Sequence, residues 1–117
     1  PAMPISARYV LMASMDVDPD KDAIFNEVYD QEHVPYLMEV PGVLSVTRAT
    51  AEPLAMMLGG ERREMPFEGP RYTAIYEIES PDVVLSPEWA AAVERGRWPS
   101  EVRPYTRNRQ HKLFKVS

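Results

Sequence analysis

The sequence predicts an α+β domain whose elements run strand, helix, strand, strand, helix, strand. Three observations carry this. Four short stretches, at 7–15, 43–51, 71–79 and 105–116, are rich in β-branched, aromatic and other apolar residues. Ile24, Phe25, Val28 and Tyr29 recur at three- and four-residue steps, the mark of a helix with one apolar stripe. Ser86-Pro87 then stands ahead of Trp89-Ala90-Ala91-Ala92-Val93, a capped helix start followed by good helix formers.

Residues 7–15 are apolar on both parities, so the first strand is expected to be covered on both faces. The acidic run from Asp16 to Asp22 forms a turn in which Asp18 or Asp20 caps the first helix and suits the positive end of its dipole. Pro35 lacks an N–H and restricts Val34, which places the end or a kink of that helix near His33. Pro41-Gly42 opens the second strand. Residues 52–70, with Gly59-Gly60, the Glu61-Arg62-Arg63-Glu64 cluster, Pro66 and Pro70, read as a long loop with a helical turn at 54–58. The third strand alternates Tyr72, Ala74, Tyr76 and Ile78 on one face. The second helix runs to about 97, and the fourth strand closes the chain. This order is the ferredoxin-like βαββαβ arrangement, a four-stranded antiparallel sheet with both helices on one face. The 117 residues are read as one domain, 1–117, and the apolar second face of the sheet calls for a second copy of the chain.

Composition narrows the function. A formal charge of −5 speaks against general nucleic-acid binding. No apolar run approaches the ~20 residues that cross a bilayer, and nothing near residue 1 resembles a signal peptide, so no membrane is expected and the expected compartment is the cytoplasm. Cysteine is absent, which removes thiolate chemistry and disulfides. Acidic residues crowd the first third, while Arg95, Arg97, Arg103, Arg107, Arg109, Lys112 and Lys115 crowd the end. That asymmetry is either two solvated faces in balance or a cationic mouth for an anionic small molecule.

The helix motif Tyr29-Asp30-Gln31-Glu32-His33-Val34-Pro35, with Pro41-Gly42-Val43, Arg48 and the strand Tyr72-Thr73-Ala74-Ile75-Tyr76-Glu77, resembles the dimeric α+β barrel superfamily, nearest its EthD-type branch. The likeness spans nearly the whole chain except 52–70. It implies a homodimer whose two sheets pack into a barrel, with a pocket in each subunit between sheet and helices. It also implies a choice of activities: cofactor-independent monooxygenases, lactone isomerases, polyketide cyclases and haem-using enzymes. By position it makes His33 the helix histidine and Arg48 the strand arginine of the pocket.

His33 is the leading candidate for proton transfer, with Tyr29 and Asp30 one helical turn before it to orient the ring; its alternative role is a helix-end cap. Glu32 falls near the apolar stripe, where desolvation raises a carboxyl pKa; the alternative is a surface position or an arginine partner. Tyr72 and Tyr76 share a strand face and are read as donors to a carbonyl or enolate, or else as packing. Trp89 is counted with them as a ligand contact, although the first reading of both Trp89 and Trp98 is as core or interface anchors. His33 and His111 lie on different elements, so no metal site is expected, and no cofactor, haem included. An N-terminal proline amine can act as a base, but Pro1 stands well ahead of the first strand on a lead that also carries Pro4. The expected protein is a cofactor-independent catabolic enzyme (isomerase, lyase or monooxygenase) for a small apolar molecule with an oxygen function. The alternatives are a non-catalytic binding protein and an assembly module whose barrel is filled.

Overall fold

The computed structural model describes residues 5–66 and 68–117; the reading of Pro1 lies outside the described residues. Strands β1 (Tyr9–Val17), β2 (Val43–Thr50), β3 (Leu54–Leu58), β4 (Glu61–Met65), β5 (Tyr72–Ile78) and β6 (Thr106–Lys115) follow one another along the chain. The first, second, fifth and sixth form one antiparallel sheet in the order β2-β5-β1-β6, the ferredoxin-like topology. Tyr72, Ala74, Tyr76 and Ile78 are all buried beneath the helices, as their two-residue repeat requires. Phe25, Val28, Leu37, Ile78 and Val102 are fully buried at the centre of the core. Each such side chain stabilises the fold by about 1.5–3 kcal/mol.

The expected irregularity near His33 is present, but the helix does not end there. Helix α1 (Asp22–Val28) passes through a π-helical turn, Tyr29–His33, into α2 (Val34–Met38). In a regular helix, Pro35 would leave the Gln31 carbonyl without a donor and crowd it with its ring. The π turn solves this by inserting a residue: the Val34 N–H reaches back to the Tyr29 carbonyl, and the wider loop makes room. Nor do Asp18 and Asp20 cap the helix. A 3₁₀ turn, Pro19–Lys21, leads into it without a side-chain cap, and the Asp18 carboxylate is taken up by Arg107.

Helix α3 (Pro87–Ala92) begins where Ser86 predicts, with the Ser86 hydroxyl accepting the Trp89 N–H at 3.1 Å. It stops short of 97. Gly96 turns the chain at φ +69°, where a Cβ would run into the Glu32 carboxylate. A second π turn, Trp98–Val102, then drops Trp98 and Val102 into the core.

Residues 52–70 differ from expectation. They hold the β3–β4 hairpin, whose register pairs Leu54 with Met65 and Leu58 with Glu61. Gly59 and Gly60, both at positive φ, supply the two-residue turn that matches strand twist. All five residues of β3 are exposed. On the sheet face away from the helices, Val10 is buried, Met12 and Ile75 are half-buried, and Phe114 stands 46% exposed. No helix among the described residues is long and apolar enough to cross a membrane.

Candidate functional site

A cavity of about 330 Å³ lies between the helix-facing side of the sheet and the helical layer. Leu11, Ala13 and Met15 of β1 and Tyr76 of β5 form its floor. Tyr29, His33, Trp89 and Trp98 form its walls, with Val84 and Val93 beside them. Arg103, Arg109 and His111 line its outer side. The volume and the mixed aromatic and aliphatic lining suit a small organic molecule.

Among the described residues, His33 is the one buried polar or charged residue, 5% exposed. Its ring stacks on Trp98 at 4.1 Å and meets the edge of Tyr29 at 5.0 Å. The Nδ1 atom is buried and has no hydrogen-bond partner. Burial, with the positive charge of Arg103 as a lesser cause, lowers the His33 pKa from 6.5 to about 4. The imidazole is therefore neutral at pH 7, with one nitrogen free to accept a proton.

Beside it, the hydroxyls of Tyr29 and Tyr76 lie 3.0 Å apart in the buried floor. Two phenols sharing one hydrogen bond use one of their two O–H donors, and the other is left for the cavity. Burial pushes both phenol pKa values up, that of Tyr76 further because of Tyr29, so both stay protonated and remain donors.

The remaining candidates fall elsewhere. Glu32 faces away from the cavity and accepts from the Arg97 backbone N–H at 2.9 Å and from its Nε at 2.5 Å. These hydrogen bonds lower its pKa, opposite to the rise expected of a buried acid. Asp30 is exposed and paired with Arg48 at 2.7 Å, so it does not orient His33. Arg48 lies outside the cavity with its guanidinium 4.5 Å from the Tyr29 ring centroid, bracing that ring from behind. Tyr72 is separated from Tyr76 along β5; it packs on Phe25 at 5.0 Å and donates to Asp22. Trp89 does reach the cavity and meets Tyr76 edge-on at 5.6 Å.

Trp98, Arg103, Arg109 and His111 were not singled out as site residues by sequence. The signals available were the basic cluster at the end of the chain, which includes Arg103 and Arg109, and the two-residue step between Arg109 and His111 in the last strand. Among the described residues, no three His, Asp or Glu side chains gather to hold a metal ion.

No protein-family profile matches the sequence, and no curated protein does. Solved structures share the fold. A Bordetella bronchiseptica protein provisionally assigned as an antibiotic biosynthesis monooxygenase is 17% identical over 93% of this chain and 96% of its own, with a TM-score of 0.59. The haem-degrader MhuD of Mycobacterium tuberculosis, with two haems bound in its active site, is 15% identical over 92% and 94%, TM-score 0.58. An EthD-family protein of Bacillus halodurans is 12% identical over 93% and 99%, TM-score 0.56. The molecule is thus a ferredoxin-like α+β protein with an aromatic cavity under its helices. Its structural neighbours include monooxygenase-like, haem-degrading and EthD-family proteins.

Proposed function

We propose that the protein is a cofactor-independent enzyme that moves a proton on a small conjugated molecule bearing a carbonyl, lactone or phenol oxygen. The single observation behind this reading is the buried, unpartnered Nδ1 of His33 in the cavity wall. A buried polar atom with no partner carries a desolvation cost that a bound ligand would relieve. In this reading, the neutral His33 takes a proton from carbon or phenol oxygen, and the spare hydroxyl of the Tyr29–Tyr76 pair donates to the oxygen where negative charge develops. Return of the proton at another atom gives isomerisation; capture of the carbanion by dioxygen gives oxygenation.

The test is proton exchange in deuterated water across a panel of naphthols, hydroquinones and aromatic lactones, followed by NMR. His33→Gln should slow exchange at least ~100-fold, the usual scale for a lost general base, with circular dichroism unchanged. Exchange at the parent rate in a folded variant sinks the catalytic role. A second reading, a binding protein for a pathway intermediate, draws support from the His33 pKa of about 4, which makes it a weak base in the empty cavity. Tight binding with no chemical change in any bound ligand would favour it.

The working unit in this proposal is a homodimer. The half-buried Met12 and Ile75 and the exposed Phe114 share the sheet face that the helices leave open, and a second sheet packed there would remove them from water.

A further inference from the structure

The chain carries 18 acidic and 13 basic residues, yet its cavity is lined by two arginines, two histidines and no carboxylate. The excess of acid is held elsewhere. Glu27 and Glu32 are bound by Arg97, Asp18 by Arg107 and Glu39 by Arg95. Arg103 is partly spent as well, donating to Glu94 and to the Val93 carbonyl. Arg109 is different: among the described residues it has no acidic partner, and it stands exposed on β6 beside an apolar, low-dielectric interior.

From this we infer that the cavity selects an aromatic acid, its ring body between Trp89, Trp98 and Tyr76 and its carboxylate held outward by Arg109 with His111. The inference rests on the cavity being a ligand site, as proposed above, and names the ligand's charge. Walls of one sign next to apolar surface focus the field and favour an anion over its neutral isostere. A guanidinium fork matches a carboxylate in geometry, and Arg109 and His111 are two residues apart on one strand face, so both reach the same end of a ligand. The anion has a second effect. Negative charge near His33 favours its protonated form and so raises the low proton affinity of the empty cavity.

The protein supplies its own reporter, since its only two tryptophans both line the cavity. The probes are 2-naphthoate and 2-naphthamide, nearly equal in shape and different in charge, titrated by tryptophan fluorescence at low salt. Naphthoate should bind about tenfold more tightly, the scale of a hydrogen bond to a charged group, and the margin should shrink as salt rises. Arg109→Gln should bring the ratio close to one, and Arg109→Glu should reverse it; the side chain is exposed, so both variants should fold. Equal binding of the two probes, a preference that survives Arg109→Glu, or no binding of either at millimolar concentration overturns the inference. A naphthoate preference lost in Arg109→Gln, in a protein without His33-dependent proton exchange, upholds the charge selection while removing the catalytic role.

Discussion

His33 is a histidine held neutral against a tryptophan, and that choice has a cost that pH exposes. The unfolded chain takes up a proton on it near 6.5, the folded chain only near 4, so protons favour unfolding between those values. The contribution of His33 to stability should therefore be full above about pH 6.5, fall as pH drops toward 4 and level off below; the gap corresponds to roughly 3 kcal/mol. Urea titrations at a series of pH values check this, and His33→Gln should flatten the profile within that window while leaving the steeper acid loss of carboxylates such as Glu32 and Glu77 below about pH 4.5. The presence of an unusual histidine before a proline was legible in the sequence. Its inward aim was expected, and an arginine partner for Glu32 stood as the alternative to an inward one, but the residues alone did not decide where Glu32 points. A count of 3.6 residues per turn places Glu32 beside Phe25 and Val28, but the π turn advances less per residue and leaves Glu32 facing Arg97 instead. Tyr72 failed for a different reason: strand parity names a shared face but not which cavity along it a side chain meets.

At the level of elements, the cavity is assembled by two irregular turns that hold one another. The π turn from Tyr29 to His33 sets the histidine and one phenol, and the Glu32 carboxylate grips the backbone and side chain of Arg97, next to Trp98. Gly96 makes this approach possible at φ +69°. Gly96→Ala should therefore cost about 1–3 kcal/mol by chemical denaturation, the scale of a residue forced into a left-handed conformation, and should change tryptophan emission because Trp98 shifts against His33. Pro35→Ala should by contrast change stability by no more than about 1 kcal/mol, since the helix already runs through the proline and no break is relieved. The strands and the Ser86 cap were legible because alternation and capping chemistry are local. The hairpin in 52–70 was missed although Gly59-Gly60 is a strong two-residue turn signal; the apolar run Leu54 to Leu58 has no alternation of its own, because both its faces are exposed.

The whole molecule is extended for its length. Its radius of gyration is 16.0 Å, against roughly 13 Å for a compact chain of this size, and the projecting hairpin is one reason. An isolated two-stranded hairpin is marginal in water, and this one exposes Leu54, Met56, Met57 and Leu58. The homodimer proposed above predicts a molecular mass of twice 13.4 kDa by sedimentation equilibrium, lowered toward the monomer by Phe114→Lys on the open sheet face. The charge asymmetry along the sequence was legible as a question and resolved only by folding. Most late arginines turn back onto early acids, which is why the one left over at the cavity could not be picked out beforehand. The β3–β4 hairpin arm has one more property, which is chemical. Thioethers in water are oxidised by peroxide, and Met57 at 63% and Met56 at 41% exposure offer theirs while Met15, at 5%, does not. Peptide mass analysis after brief peroxide treatment should find, among the methionines of the described residues, sulfoxide first at Met57 and last at Met15. Slower oxidation of the arm at higher protein concentration would mark its shelter by a neighbouring chain.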